Sequence, residues 1–547
     1  MTRSAQHKSD LSDREKKLKK KQVQVALLLH LNDIQPWQYR LAEQIEEDEN
    51  LRLCCILNTT GRMAVRKALA SKAVQLLERI EKRLFLPKRL TNAEAPTHQI
   101  RAITAQDISL ENIYSDDALT ALSGSDVVVS LVPITEELAS AIAEHSVLWS
   151  IAAGNCTGTN QPQFGFREMF KRDGTSALAL LKKTTGGSKL LAKSTVQQQF
   201  CYARNKRFLL EKSVPLILRE LRRTANHDHR QTETIETYSG RADDYAGIGD
   251  ILAYIIRLAT NLVPKVYKAL LRKTGRRFNR WSLFVGTGDF DPQRMSWAVE
   301  THPPANEFWA DPFLFSRAGD QELLVFFENF EFSTGLGKIS VGRLDASKVV
   351  YLGDALVRPY HLSYPFVYTY RGDIYMIPET AKSRQIEIWK AKNFPLEWTL
   401  HKTVLQGQSC ADTTIVEHDG AWWMFTSISL DSFDDHCSEL HVFKVDSPLL
   451  NRIEPHELNP VITDARTARN AGRIAVRDGK LTRLAQNNAY HYGYGFSLME
   501  IECLSVREYH EKCLYSVKPD FAPGIGSTHH MDQLDNVHIF DGLREFG

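Results

Sequence analysis

Hydrophobic and polar positions follow different patterns in the two halves of the chain. Over residues 23–222, continuous apolar runs such as VQVALLLH and DVVVSLV alternate with longer amphipathic segments such as PWQYRLAEQIEED. Apolar runs of strand length that are separated by helices are typical of parallel strands buried on both faces of a sheet. The pattern therefore predicts a Rossmann-like α/β domain with a doubly wound sheet over residues 23–222.

The first apolar run carries neither a targeting signal nor a nucleotide-binding loop. Residues 1–22 form a basic tail, but the apolar residues after it are few and lead into Asn32 and Asp33 without a small-residue cleavage site. No GxGxxG or GxxxxGK sequence follows this run. We therefore expect a buried strand here, without the glycine-rich loop that binds nucleotide phosphates.

Residues 223–280 begin as a polar linker and continue as a basic amphipathic helix. Apolar residues recur there at helical spacing, but polar residues interrupt them too often for a bilayer span. Two interpretations remain open: the helix packs between two domains, or residues 248–280 contact an anionic membrane surface. The basic residues near its end are Lys265, Lys268, Arg272, Lys273, Arg276 and Arg277.

From residue 281 to 547 the chain consists of short alternating segments rich in Phe, Tyr, Trp and Val, separated by Gly, Asp and Asn turns. A short motif recurs at intervals of about 50 to 60 residues, which is the length of one propeller blade. Its copies are ADPFLF at Ala310, SYPFVY at Ser363, ADTTIV at Ala411, AGRIAV at Ala471 and HHMDQL at His529. We therefore predict an all-β, five-bladed propeller over residues 281–547.

The repeat predicts where the charged residues of the propeller meet. The first strand of each blade lines the central axis and begins at one face of the ring, and the second strand returns to that face. Residues that are far apart in sequence would then share one pocket at the mouth of the axial channel. Those residues are Asp311, Glu328, Tyr364, Glu379, Asp412, Arg473, His529 and His530.

Several carboxylates around one concave site suit glycosyl chemistry, in which one carboxyl group protonates a leaving oxygen and another activates water or attacks the sugar. Crowding raises the pKa of at least one of them. Arg473 is expected to tune these pKa values, to bind an anionic group of the ligand, or only to pair with a blade carboxylate. The residues expected to bind substrate are Trp309, Glu328, His361, Tyr364, Gln486, Tyr492, His529 and His530.

Structural roles are open for some of the same residues. Asp311 precedes a proline and Asp412 precedes two threonines, and both are common settings for turns. His529 and His530, near Asp532, resemble metal ligands, but neighbouring residues on a strand point to opposite faces. We therefore predict no metal and no cofactor.

The motifs FWADPFLF, HLSYPFVY, YMIPET, ADTTIVEHDGAWWMF and QNNAYHYG, in this order, resemble the domain at the N-terminus of plant glucosamine inositolphosphorylceramide transferases. That domain is similar to the propellers of furanosidase-type glycoside hydrolases. The resemblance implies that Asp311 is a base or nucleophile, that Glu379 is the acid, and that Asp412 modulates pKa values. No EGP-like motif accompanies them.

Residues 23–222 resemble the formyltransferase fold through PWQYRLAEQI, FGFREMF and ARNKRFLLEKS. That family uses an Asn, His and Asp set to transfer a formyl group from a folate. Here Ala152 and Ala153 stand where the His is expected, and Thr185 stands where an Asp-x-Gly pattern is expected. The resemblance therefore implies a degenerate domain that keeps a scaffold or binding role.

Bulk composition narrows the partners. The 68 Lys and Arg nearly cancel the 66 Asp and Glu, so overall charge indicates no nucleic-acid partner. Eight scattered cysteines without a CxxC pair predict reduced thiols and a cytoplasmic location, with the membrane-associated alternative above still open.

The predicted function is glycosyl transfer or hydrolysis on a surface polysaccharide or glycolipid precursor. Transfer is preferred, because digestive glycosidases are normally exported. A non-catalytic glycan-binding or assembly protein is one alternative, and a formyltransferase that acts on an amino sugar is another. The sequence does not indicate an oligomeric state.

Overall fold

The computed structural model describes residues 22–31, 34–58, 69–87, 106–109, 115–154, 156–157, 163–171, 173–184, 187–226, 246–272, 279–317, 319–320, 322–477 and 479–545. Thr185, which bears on the formyltransferase resemblance, lies outside them. The described chain forms an α/β unit up to residue 272 and a β-propeller from residue 279.

One sheet of eight strands organises the α/β unit. Strands β3, β2, β1, β4 and β5 lie in this order and run parallel. Strand β7 pairs antiparallel with β5, and β8 pairs antiparallel with β7. The short β6 pairs with β5. The strands are β1 Val23–Leu29, β2 Leu51–Asn58, β3 Gln106–Ser109, β4 Val127–Ser130, β5 Val147–Ala153, β6 Cys156–Thr157, β7 Thr175–Thr184 and β8 Gly187–Gln197.

Helices cover both faces of this sheet. Successive residues of β1 alternate between two cores, because Val25 and Leu27 pack with Trp37 of α1, whereas Ala26 and Leu28 pack on the opposite face. The continuous apolar runs in the sequence have this two-sided burial as their cause. The described helices are α1 Pro36–Glu46, α2 Leu69–Phe85, α3 Asp116–Ser123, α4 Glu136–Ala143, α5 Tyr202–Ala225 and α6 Ile248–Arg272.

Helix α5 lies between the α/β unit and the propeller. Its apolar residues join the core of the sheet, and Lys212 on its other side is buried against the propeller. The Lys212 ammonium contacts Asp431 at 2.5 Å, Asp435 at 2.7 Å and Glu439 at 2.8 Å, all in the loop between two propeller strands. This cluster of opposite charges fixes the propeller against the helix.

Helix α6 packs elsewhere, which corrects the prediction that residues 248–280 pack between the two domains. Its buried residues Ile251 and Tyr254 pack with Val74 of α2 and with Phe166 of the α/β unit. The Tyr254 hydroxyl donates to Glu81 of α2 at 2.6 Å. The inter-domain position belongs to α5, whose sequence pattern gives no signal of that role. No described helix is long and apolar enough to span a membrane.

The five-bladed propeller is confirmed. Blade 1 contains β11 Glu307–Phe315, β12 Leu324–Glu331, β13 Leu336–Asp345 and β14 Lys348–Leu356. Blade 2 contains β15 Ser363–Tyr370, β16 Asp373–Glu379, β17 Ile386–Asn393 and β18 Glu397–Val404. Blade 3 contains β19 Ser409–His418, β20 Ala421–Ser429, β21 His441–Val445 and β22 Ile453–Pro455. Blade 4 contains β23 Ala475–Arg477, β24 Lys480–Asn487, β25 Gly495–Leu504 and β26 Tyr509–Val517.

Blade 5 closes the ring by joining the two ends of the propeller sequence. Strand β9, Asn279–Thr287, pairs along its whole length with the last strand β29, Val537–Glu545. The blade is completed by β10 Val299–Thr301, β27 Ile525–Ser527 and β28 Met531–Leu534. Pairing of an early strand with the final strand leaves no open edge between the first and last blades.

A β-bulge interrupts the inner strand at the same place in three blades, where two inner-strand residues stand opposite one residue of the neighbouring strand. Asp311, Tyr364 and Asp412 have positive φ angles of 50°, 46° and 52°, and the strand register shifts at each of them. In blade 4 Gly472 takes this position, where a Cβ atom would collide with the Met531 carbonyl. Bulges redirect side chains, and backbone of this kind is concentrated at functional sites.

Candidate functional site at the mouth of the propeller

A cavity of about 260 Å³ opens at the end of the propeller axis where the inner strands begin. Blades 1, 2, 4 and 5 and the segment before blade 4 all contribute to its wall. Its ionisable lining residues are Glu328, His361, Glu379, Arg469 and His529, and its aromatic lining residues are Trp281, Phe308, Phe330 and Tyr492. The predicted meeting of distant residues at one mouth therefore has a physical counterpart.

Asp311 lies next to this cavity with one oxygen available. His529 Nε2 and His530 Nδ1 lie 3.6 Å and 3.5 Å from Asp311 Oδ1, and among the described residues no hydrogen-bond donor reaches that oxygen. Burial raises the pKa of Asp311 to about 7, although the positive charge of His529 opposes the shift. The carboxyl group can therefore gain and lose a proton near neutral pH.

His529 is held in place by Asp541 of β29. His529 Nδ1 and Asp541 Oδ2 form an ion pair at 2.7 Å, and Asp541 Oδ1 accepts from the backbone amides of His529 and His530. Although burial opposes the shift, Asp541 and then Asp311 raise the pKa of His529 to about 9. The imidazolium ring consequently presents Nε2 towards Asp311 with a fixed orientation.

Glu328, near the end of β12, is a buried carboxyl group whose surroundings favour the protonated form. Burial, followed by the charge of Asp311, raises its pKa well above the ordinary value. Its neighbour His361 Nε2 lies 3.4 Å from Glu328 Oε1, while His361 Nδ1 accepts from the Gly337 amide at 2.9 Å. Because burial lowers the pKa of His361 to about 4, this imidazole is neutral and does not stabilise a Glu328 carboxylate as a cation would.

Arg469 connects two further carboxylates. Its guanidinium donates to Asp412 from Nε at 2.6 Å and from Nη2 at 3.2 Å, and Nη2 also donates to Glu379 at 2.9 Å. Gln486 donates to Asp412 Oδ2 at 2.9 Å. Burial raises the pKa of Asp412 to about 6 even though Arg469 opposes the shift. Asp412 is thus a fixed charge partner beside the cavity, and one oxygen of Glu379 is already engaged.

Aromatic rings form flat walls beside these charges. Trp281 of β9 stacks on His529 with ring centroids 4.3 Å apart, and Phe308 stacks on Phe330 at 4.6 Å. Tyr492 lies against the Arg469 guanidinium at 5.5 Å. Flat apolar faces beside hydrogen-bonding groups are what a sugar ring, which has both apolar and hydroxyl-bearing sides, needs from its binding site.

The α/β unit contacts the loops that carry part of this wall. The amide of Ala465 donates to Thr195 of β8 at 2.7 Å, and Ser194 donates to the carbonyl of Thr463. Gly174, at φ 75°, approaches the Tyr490 carbonyl so closely that a Cβ atom would collide with it. The segments that lead to Arg469 and Tyr492 are therefore held against the α/β unit.

Seven predicted site residues do not line the cavity: Asp311, Asp412 and Gln486, whose contacts are given above, and Trp309, Tyr364, Arg473 and His530. Trp309 packs on Phe327 in an interblade core, because alternate residues of β11 face opposite sides and the cavity receives Phe308 and Ala310 instead. The Tyr364 hydroxyl is buried, donates to the Gly472 carbonyl at 2.8 Å and lies 2.9 Å from the Thr414 hydroxyl. These contacts are structural, and Tyr364 does not line the cavity.

Arg473 does not line the cavity, and of the roles left open for it the described contacts favour pairing with a blade carboxylate. Arg473 pairs with Asp532 at 3.2 Å and donates to the Leu314 carbonyl at 3.0 Å, within the inner strands. His530 is fully buried against Phe313, although its Nδ1 atom approaches Asp311. Burial lowers the pKa of His530 to about 3, so it is a neutral neighbour of the site.

The sequence reasoning missed Trp281, Phe308, Phe330, Arg469 and Asp541. Residues two apart on a strand face the same side, so Phe308 shares the face of Ala310 and Phe330 that of Glu328. The sequence therefore contained a signal for both phenylalanines. The segment ARTARNAGRI contains three arginines, and nothing in its pattern selects Arg469. Asp541 and Trp281 reach the site only through the pairing of β9 with β29, which depends on ring closure.

One group in the described part of the chain has the geometry to hold a metal ion. Ligand atoms of Asp311, His529 and Asp541 lie within 4.8 Å of one another. His529 Nδ1 is occupied by Asp541, which leaves Nε2 as its free ring nitrogen. The prediction of no metal stays a prediction.

Fold and cavity together define a five-bladed propeller with acidic groups and aromatic walls at one end of its axis. Residues 295–522 match the family model described as "Glucosamine inositolphosphorylceramide transferase 1, N-terminal". A rice protein (Oryza sativa subsp. japonica) named glucosamine inositolphosphorylceramide transferase 1 is 41% identical over 212 residues, which cover 38% of this chain and 28% of the rice protein. The protein of the same name from Arabidopsis thaliana is 38% identical over 212 residues, or 38% of this chain and 27% of that protein. The match therefore spans less than a third of either relative.

Among solved structures, a family 117 glycoside hydrolase from Zobellia galactanivorans aligns with 49% of this chain and 91% of its own, at 11% identity and a TM-score of 0.31. An exo-β-1,3-galactanase from Phanerochaete chrysosporium aligns with 49% of this chain and 60% of its own, at 10% identity and a TM-score of 0.33. Scores of this size carry no conclusion about this chain. Neither alignment bears on the formyltransferase resemblance, which stays a prediction.

Proposed function

We propose that the mouth cavity is a carbohydrate-active site, in which a glycosyl unit of a glycan or glycolipid is transferred or hydrolysed. The observation that carries this proposal is a buried Glu328 on the cavity wall, whose pKa is raised, together with an Asp311 carboxyl group that has an unpaired oxygen and a pKa of about 7. The name of the matched plant proteins, glucosamine inositolphosphorylceramide transferase 1, supports the same class of substrate.

In the proposed reaction Glu328 is the acid. As the bond between the anomeric carbon and the leaving oxygen breaks, the Glu328 proton passes to that oxygen. Glu379 was the acid implied by resemblance, but its Oε2 accepts from Arg469, and such an ion pair suits charge balance better than proton donation. We therefore place Glu379 and Asp412 as partners of Arg469 that shape the site.

Asp311 then acts on the opposite side of the transferred unit. It either removes the proton from the incoming hydroxyl group or attacks the anomeric carbon itself. The His529 imidazolium, held by Asp541, stabilises the Asp311 carboxylate while the sugar develops positive charge. Trp281, Phe308 and Phe330 supply the apolar faces for the sugar ring.

For the α/β unit we propose a scaffold role. Buried Ala152 and Ala153 on β5 offer no base, and β8 and α5 support the propeller beside its site. The chain would then consist of a basic tail over residues 1–22, the α/β domain over 23–222, a linker with a helix over 223–280, and the propeller over 281–547. Folate binding by the full chain, measured by calorimetry, would favour the formyltransferase alternative.

The test compares the wild type with Glu328→Gln and Asp311→Asn on a panel of 4-nitrophenyl glycosides, with Asp419→Asn as a matched exposed control. We expect turnover of at least one glycoside by the wild type and the control, and a loss of about 10²–10⁴-fold in each site variant. Sugar binding, followed by calorimetry, should survive both site substitutions.

Binding without turnover in the wild type would favour the glycan-binding alternative. Equal turnover by all variants would refute the assigned roles. A wild type that neither binds nor turns over any glycoside or free sugar would refute the cavity as a carbohydrate site.

A further inference from the structure

Two helices of the α/β unit share a small core and leave apolar faces uncovered. Helix α2 contributes Val74 and helix α6 contributes Ile251 and Tyr254 to that core, which includes Phe166 and Tyr202. The Tyr254–Glu81 hydrogen bond adds a polar link between the helices. The two helices therefore form one layer on the α/β unit, away from the cavity of the propeller.

The outer side of α6 is an apolar stripe. Its residues recur at spacings of three and four, so they project from one side of the helix. Their exposure is high, with 65% for Ile256 and 66% for Val263. From Ile248 to Tyr267 this stripe runs roughly 30 Å, at about 1.5 Å per residue. Its members are Ile248, Leu252, Ile255, Ile256, Val263 and Tyr267.

Helix α2 also exposes a row of apolar side chains, and its acidic residues are buried whereas its basic residues are exposed. Leu76, Ile80 and Leu84, spaced by four residues, are 58%, 48% and 66% exposed. The two glutamates of α2 point inward: Glu78 pairs with Lys206, and Glu81 accepts from Tyr254. The basic residues of α2 lie on the exposed side instead, and they are Lys72, Arg79, Lys82 and Arg83.

The acidic residue of α6 is also withdrawn. Asp250 pairs with Arg167 at 3.2 Å and accepts from the Gly247 amide, at the beginning of the helix. Among the described residues of α2 and α6, the exposed side chains therefore include apolar and basic residues but no acidic ones. The sequence beyond the stripe adds further lysines and arginines between residues 265 and 277.

We propose that the exposed faces of α2 and α6 bind the surface of an anionic lipid bilayer. Apolar side chains would enter the boundary between head groups and acyl chains, while the exposed lysines and arginines would contact lipid phosphates and carboxylates. The charges favour this occupant over a protein partner, because the exposed charged side chains described on the two helices are all basic, as binding to an anionic surface requires. The helices would lie on the bilayer, since neither is apolar enough to cross it.

The test is flotation of the full chain with vesicles of phosphatidylcholine alone and of phosphatidylcholine with 30% phosphatidylserine. We expect binding to the mixed vesicles that falls as salt is raised, and at least tenfold weaker binding to neutral vesicles. Ile256→Glu combined with Val263→Glu should abolish binding. Its matched control is Val357→Glu combined with Leu400→Glu, which introduces the same charges at exposed apolar positions of the propeller.

A second variant separates charge from apolar contact. Lys72→Gln, Arg79→Gln and Arg83→Gln together should weaken binding to the mixed vesicles by about 100-fold, since each basic residue near an anionic surface contributes about fivefold. The same number of substitutions at Lys392, Lys480 and Arg507 of the propeller serves as the control. Circular dichroism shows that each variant is folded.

Three outcomes would overturn the proposal. Equal binding to neutral and anionic vesicles would contradict the role of the basic residues. If each control variant lost as much vesicle binding as the variant it is matched to, the assigned surface would be wrong. Light scattering that shows a wild-type dimer and a monomeric Ile256→Glu, Val263→Glu variant, without vesicle binding by either, would assign this surface to a second copy of the chain.

Discussion

We expect the stability of Asp311→Asn, relative to that of the wild type, to increase as the pH rises from 4 to 7. In the folded protein burial raises the pKa of Asp311 from its ordinary 3.8 to about 7. A carboxyl group with a raised folded pKa costs no stability below the unfolded pKa, and its cost grows as the pH rises through the folded pKa. Asn does not ionise, so the variant avoids that cost.

The size of the effect follows from the pKa difference. A rise of roughly three pKa units corresponds to about 4 kcal/mol, at about 1.4 kcal/mol per unit. This is an upper value, because Asp412 and Asp541 share the local field with Asp311. We therefore expect the free energy of unfolding of Asp311→Asn, minus that of wild type, to increase by about 2–4 kcal/mol between pH 4 and pH 7. The contribution of His529 stays nearly constant up to its unfolded pKa near 6.5.

Urea unfolding, followed by tryptophan fluorescence at several pH values, measures this difference. Asp419→Asn is the matched control, because Asp419 also has a φ of 50° but its side chain is 89% exposed. The control removes the effect of placing Asn in left-handed backbone and should show no pH-dependent gain. A flat difference between Asp311→Asn and wild type from pH 4 to pH 7 would refute the raised pKa of Asp311.

Two further predictions concern buried cations. Arg469→Met leaves Asp412 and Glu379 without their partner and should cost about 3–5 kcal/mol of unfolding free energy at pH 8, with a smaller loss at pH 5 where Asp412 gains a proton. Urea unfolding measures it, and Arg466→Met, at a half-exposed arginine in the same segment, is the control; equal losses would contradict the account. Lys212→Met should likewise cost about 3–5 kcal/mol at pH 7, because three carboxylates beside α5 lose their common cation. Lys212 lowers the pKa of Asp435 against the opposing effect of burial, so this loss should shrink below about pH 4; a loss no greater than that of the exposed Lys392→Met would contradict it.

The sequence was most informative about the propeller, because its motif recurs once in each blade. The five copies of the inner-strand motif predicted the number of blades, and blade symmetry predicted that Glu328 and Glu379, which line the cavity, lie at one mouth. What the motif did not reveal is the bulge at Asp311, Tyr364 and Asp412. A positive φ at an aspartate or tyrosine leaves no mark in a hydrophobic pattern.

The remaining differences come from contacts between segments that are distant in sequence. The sequence predicts Trp309 at the site, but the cavity is lined by its neighbours Phe308 and Ala310. Successive residues of a strand face opposite sides, so an error of one residue places a side chain on the wrong face. Arg469 reaches Asp412 from a segment without regular structure, so no periodicity predicts its reach. Helix α5 takes the position between the domains because Lys212 finds three acidic residues in a blade 3 loop, a match that neither segment shows alone.

The most direct test of the central claim is the protonation state of Glu328 in the folded protein at pH 7. An infrared difference spectrum between the wild type and Glu328→Gln reports whether the lost group is a protonated carboxyl or a carboxylate. The account predicts loss of a protonated-carboxyl band, because burial and the neighbouring Asp311 keep the proton on Glu328. Loss of carboxylate bands alone would contradict it, and with it the proposed acid of the glycosyl reaction.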